Sequence, residues 1–141
     1  MFRLHHIAIA VTDIASALPA YTEGLGLTAV HIEDVPVQGA RVALLPVGEV
    51  NLELVAPLTA DSSLTRALER RGEGVHHLCF EVDDIHAELA ALQSRGVRLV
   101  DQTPRAGADG ALVAFVHPSS THGVLLELRQ ANKPAPNSTP T

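Results

Sequence analysis

Large and small apolar positions alternating behind a histidine pair across residues 4–11, "LHHIAIAV", predict a strand, and the change to helical spacing after Asp13 predicts a helix over 13–23. Asp13 can cap that helix, while Gly24 and Gly26 stop it. Strand-like runs follow at 27–33, 40–47 and 50–56, separated by the turn signals "VPVQG" and "PVGE". The stretch "DSSLTRALERRGEG" reads as a short connecting helix over 61–71, with Asp61 or Ser62 as its cap and Gly72 as its end. Then the same order returns: a strand over 75–82, a helix over 83–94 with Ile85, Leu89 and Leu92 on one face, and strands over 97–100, 111–116 and 124–128.

The return is also one of wording. "LHHIAIAVTDI" near the start answers "VHHLCFEVDDI" in the second half, with His6 and His77 71 positions apart. "NLELVAP" closes the first half and "VLLELRQ" the second, which sets Glu53 opposite Glu127 at a separation of 74. A repeat of this length is an architectural statement. It predicts an α+β protein built from two tandem βαβββ modules, 4–57 and 75–130, within a single domain over 1–130.

Composition narrows the function classes. With 46% hydrophobic and 18% charged residues in 141, the chain can bury a sizeable core, and no apolar run is long enough to span a bilayer. The chain opens without a secretory pattern and its single cysteine, Cys79, can form no disulfide framework, so the expected compartment is the cytoplasm. A net charge of −6 and four aromatic residues leave neither a basic patch for phosphates nor a stacking platform for bases, which argues against nucleic acid. The closing "ANKPAPNSTPT" predicts a disordered tail over 131–141.

Strand alternation locates the chemistry. His6 shares a face with Ala8 and Ala10, and His77 with Cys79 and Glu81, whereas His5 and His76 fall on the apolar faces, where a structural role is expected. Those apolar faces are expected to meet the core, leaving the face with His6 and His77 more open. On the closing strands Glu53 and Glu127 alternate with leucines that the core takes, so two histidines and two glutamates converge. Such a 2-His-2-carboxylate set suits a divalent metal in octahedral coordination, with two positions left for water or substrate oxygens. His31, His86 and His122 read as surface or loop residues, and Asp13, Asp83 and Asp84 as helix caps.

Paired βαβββ modules with His and Glu on their first and last strands resemble the vicinal oxygen chelate (glyoxalase/bleomycin resistance/dioxygenase) superfamily, over residues 4–130. More narrowly, "LHHIAIAV", "GEGVHHLCFEVDDI", "GVRLVDQTPRAGADG" and "AFVHPSSTHGVLLEL" are similar to the methylmalonyl-CoA epimerase family. The resemblance implies a curved, partly open mixed sheet around a metal site, a homodimer and a small acyl-CoA substrate. It carries His6, His77 and Glu127 over as metal ligands. Some members have glutamine at the position of Glu53 and a glutamate on the preceding strand, where this chain has Val42. Ser119 and His122 stand where lysines can occur, so coenzyme A contacts do not transfer. The ligand set accepts cobalt, manganese, nickel, zinc or magnesium.

The activity so implied removes a proton from a carbon between a thioester carbonyl and a carboxylate and returns it on the opposite face. That requires a cation to stabilise the negative charge and two bases, for which Glu53 and Glu127 are the candidates, with Glu33, Asp34 and Glu49 in reserve. Glyoxalase I uses the same quartet and is the alternative activity; a dioxygenase of the superfamily and a non-enzymatic metal or small-molecule binding module are further readings.

Overall fold

Eight strands hydrogen-bond into one mixed sheet of order β2-β3-β4-β1-β5-β8-β7-β6 in a computed structural model that describes residues 2–132. The strands are β1 (Arg3–Ala10), β2 (His31–Val35), β3 (Ala40–Val47), β4 (Val50–Pro57), β5 (Gly74–Glu81), β6 (Arg105–Ala106), β7 (Leu112–Val116) and β8 (Leu126–Gln130). The order is a palindrome of the repeat: β1 and β5 meet antiparallel at the centre, each flanked by the last strand of its own half in parallel, β4 and β8. The sheet curls into an open half-barrel. Four strands can aim side chains at one point only from the inside of such a curl.

Three helices complete the fold: α1 (Ile14–Pro19), α2 (Ser63–Arg71) and α3 (Ile85–Ser94). Asp13, Ser62 and Asp84 cap them, each side chain accepting from a backbone N–H two or three residues on. The apolar stripe of α3, Ile85 and Leu89, packs on Ala114, Val116 and Leu128 behind the second half. Ile14 of α1 packs on Ala43, Leu45 and Leu54 behind the first. Leu64 of α2 instead closes over the inner face, against Ala8, Ala10, Val42 and Val55. The leucines beside the two glutamates, Leu54 and Leu128, are fully buried in the outer clusters, as alternation requires. No helix among the described residues is long and apolar enough to cross a membrane.

Four expectations change. The strand expected over 27–33 pairs only as His31–Val35, because the turn at Gly39 (φ +64°) sets Val35 opposite Ala40 and measures the hairpin back from there. The expected helix over 13–23 ends as α-helix at Pro19, which has no N–H to donate, and continues as a π-helical turn over Ala20–Gly24. The strand expected over 97–100 reduces to one bridge, Leu99 with Val116. There the Asp101 carboxylate accepts the Phe115 N–H that a strand carbonyl would have taken, and the outer place on β7 goes to Arg105–Ala106. Finally, the face of β1 carrying His6, Ala8 and Ala10 is the more buried one, and Ile7 and Ile9 are half-buried. Curling closes the inner face more tightly than the helices close the outer. The expected tail lies outside the described residues from position 133 onward.

Candidate metal and substrate site

His6 and Glu53 come from adjacent parallel strands, His77 and Glu127 from their counterparts, and all four are at most 8% exposed. His77 Nε2 lies 3.1 Å from Glu127 Oε1, and His6 Nε2 lies 3.4 Å from the same oxygen and 3.5 Å from Glu53 Oε1. Donor atoms of His6, His77 and Glu127 all fall within 4.8 Å of one another; Glu53 stands beside this trio, with its Oε1 3.5 Å from His6 Nε2. The sequence-derived quartet is thus brought together as a compact three and a neighbour.

His6 Nε2 is buried without a hydrogen-bond partner. A buried polar atom so placed is expensive unless something coordinates it, and an imidazole nitrogen, a second imidazole nitrogen and a carboxylate oxygen converging here form a donor set that fits a divalent cation. His5, His6 and Cys79 also fall within 4.8 Å, but His5 and His6 already hold each other through Nδ1 at 2.7 Å, and burial pushes the Cys79 thiol well up, away from the thiolate a metal needs.

The surroundings separate the two glutamates. Burial raises the proton affinity of Glu53, and the imidazole of His6 only partly offsets it. Burial would also raise that of Glu127, but the contacts from His6 and then His77 outweigh it and hold the carboxyl well below its usual range. His6 is raised: burial lowers it, and the Glu127 and Glu53 carboxylates more than compensate. His5 and His76 are pushed down to about 4, chiefly by burial, and so are neutral.

The site opens into a cavity of about 90 Å³ walled by Val42, Val55, Leu64 and Phe115, with Gln38 reaching Glu127 Oε2 at 3.4 Å. Phe115 sets its ring edge-on to His77, centroids 5.2 Å apart. Glu53 and Glu127 are the only carboxylates lining it among the described residues. The reserve candidates go elsewhere: Glu33 holds His31 and the Asp109 N–H, Asp34 pairs with Arg41, and Glu49 sits in the turn between β3 and β4. Sequence reasoning missed Gln38, Arg105 and Phe115. Gln38 lay in a stretch that announced only a turn, whereas Arg105 and Phe115 sat inside motifs already noted for their wording.

A groove of about 280 Å³ adjoins the cavity, sharing Ser63, His76, Arg105 and Phe115 as wall and adding Arg70 and Arg71 from the end of α2. In a chain of net charge −6, Arg70 and Arg71 bring positive charge to this groove, while Arg105 pairs with Asp101 at 3.2 Å.

A curled sheet of two βαβββ halves with a buried His/His/Glu set at its seam defines a metal-chelating class of protein, and the comparisons agree. Residues 5–115 match the family model of the glyoxalase/bleomycin resistance protein/dioxygenase superfamily, whose members generally bind a divalent metal. The mouse mitochondrial methylmalonyl-CoA epimerase is 37% identical over 92% of this chain and 73% of its own length. The crystal structure of the Mycobacterium tuberculosis methylmalonyl-CoA epimerase superposes with a TM-score of 0.88 at 39% identity, covering 92% of this chain and 88% of that one. A methylmalonyl-CoA epimerase solved in complex with methylmalonyl-CoA and NH4+ gives 0.88 at 35% identity, over 93% and 95%. The chain belongs to the glyoxalase/bleomycin resistance/dioxygenase superfamily and, within it, to the methylmalonyl-CoA epimerase family.

Proposed function

We propose that this protein is an isomerase that interconverts the (R) and (S) epimers of methylmalonyl-CoA. The observation that carries the reading is the pairing of a cation-ready His6/His77/Glu127 set with a neighbouring carboxylate, Glu53, whose proton affinity is raised. His6, His77 and Glu127 would hold a divalent ion, whose positive charge would make the carbon between thioester and carboxylate more acidic. Glu53 accepts that carbon's proton at a carboxylate oxygen, as suits a base shifted toward neutrality. Return from the other face falls to Glu127, on the symmetry-related strand; because His6 and His77 hold it ionised, the proton it delivers comes from solvent through it, while Glu53 releases the one it took. Gln38 steadies Glu127 Oε2, and Val42, Val55 and Phe115 keep water from the reacting carbon.

The cavity has room for the compact dicarboxylic acyl head and not for the rest of an acyl-CoA. The long arm leaves through the adjoining groove, where Arg105, Arg70 and Arg71 meet its phosphates. The reading extends to a homodimer, formed through the β2 edge, where Val30, Ile32 and Val37 are all more than half exposed. The glyoxalase I and binding-module alternatives are not favoured, since the named relatives are epimerases. To test it, one pure epimer of methylmalonyl-CoA is incubated with metal-loaded and chelator-stripped protein. The first should reach an equal mixture and the second should not; a loaded protein that leaves the epimer unchanged refutes the reading.

A further inference from the structure

The antiparallel ladder between β1 and β5 is broken twice, and both breaks fall on the repeat. Its register runs from Leu4 with Phe80 to His6 with Cys79, skipping His5, and from Ala8 with His77 to Ile9 with Val75, skipping His76. A bulge inserts a residue that faces no partner and re-aims the side chains around it. Here each lets two neighbours that alternation would send to opposite faces turn toward one another.

The outcome is the same in both halves. His5 Nδ1 lies 2.7 Å from His6 Nδ1, and His76 Nδ1 lies 2.8 Å from His77 Nδ1. The rings meet edge-on, with centroids 5.0 and 5.1 Å apart and interplanar angles of 76° and 78°. Two nitrogens at such a distance share one proton. If the inner ring, His6 or His77, carries it on Nδ1, its Nε2 keeps a free lone pair on the side of Glu127 Oε1, which lies 3.4 Å from His6 Nε2 and 3.1 Å from His77 Nε2. If the outer ring carries it, the neutral inner ring must place its own proton on Nε2, where it would block a cation.

We propose that His5 and His76 are positioning residues of the metal centre: each accepts the Nδ1–H of the following histidine, and so fixes the tautomer and ring angle that present Nε2 of His6 and His77 to the ion. The inference rests on the metal site described under the proposed function. Metal-bound imidazoles ordinarily donate their second nitrogen to a carboxylate, carbonyl or water; in this chain the acceptor is another imidazole, supplied by a bulge that the fold repeats.

The test uses zinc, which is diamagnetic, and a chromogenic chelator competing for it. In the zinc-loaded wild type, nitrogen-edited NMR should show His6 and His77 protonated on Nδ1, with slowly exchanging Nδ1–H protons. His5→Leu and His76→Leu, which remove the acceptor, should each weaken zinc by about tenfold to a hundredfold and lose the matching proton. His5→Asn and His76→Asn put a carbonyl oxygen where Nδ1 stood, and should recover most of both. Leucine variants that bind zinc as tightly as wild type overturn the inference and leave the site intact. So does a wild type whose His6 and His77 carry their protons on Nε2, a result that needs no variant to fold. A wild type that binds no zinc overturns the metal reading, and this inference with it.

Discussion

Glu53 and Glu127 occupy equivalent places in the two halves, yet their proton affinities move in opposite directions because only Glu127 is gripped by both imidazoles. Glu53→Gln therefore separates the roles: it keeps an oxygen beside His6 but cannot take a proton. Metal content should stay at the wild-type level while kcat falls by roughly a hundredfold or more; epimerisation near the wild-type rate would exclude Glu53 as a base. Deuterium uptake by this variant should become one-sided, exchanging the proton of one epimer only. His6→Ala, His77→Ala and Glu127→Ala should each lose tight metal binding by direct metal analysis, and any that keeps wild-type affinity marks a residue that is not a ligand. Residue identities at this site were legible because the repeat states each twice. The bulges were not: periodicity assumes an unbroken ladder, and on that assumption the contacts of His5 with His6 and of His76 with His77 could not be foreseen.

At the scale of elements, the sequence read well where local chemistry decides, as with the caps Asp13, Ser62 and Asp84 and the 40–47 strand. It read poorly where a distant partner decides. Nothing near Val97 shows that Asp101 will take the Phe115 N–H and end the ladder, and nothing near Leu27 shows how far the hairpin reaches. Two predictions belong here. Asp13 is held below its usual proton affinity by hydrogen bonds from the Ser16 hydroxyl and N–H. A group depressed in the folded state stabilises above its unfolded pKa and loses that contribution as pH falls through its folded value. The melting temperature of Asp13→Ala should accordingly lie below wild type at neutral pH, with the gap closing in acid; a gap that persists in acid would place the effect outside the carboxylate. Gly39 holds a left-handed conformation with the Ser62 Oγ 3.2 Å from where a Cβ would stand. Gly39→Ala should lower unfolding free energy in urea by about 1–2 kcal/mol, and an unchanged midpoint would mean the turn relaxes at no cost.

Across the whole molecule, the site lies where the two halves meet, and the groove beside α2 that adjoins it is lined by Arg70, Arg71 and Arg105. Reversing two exposed charges there, Arg70→Glu with Arg71→Glu, should raise KM for the acyl-CoA about tenfold and flatten its salt dependence while leaving kcat. A pantetheine thioester without the nucleotide should not sense the change. Equal effects on both substrates would show that the arm takes another route.

The central claim is that the seam between the halves activates a carbon flanked by a thioester and a carboxylate, and deuterium incorporation tests it most directly. Metal-loaded protein in deuterium oxide is given methylmalonyl-CoA and, separately, the glutathione hemithioacetal of methylglyoxal, with solvent deuterium followed at the carbon that loses its proton. The account predicts uptake at that position of methylmalonyl-CoA, abolished by chelation and restored by metal. Uptake from the hemithioacetal alone would contradict it.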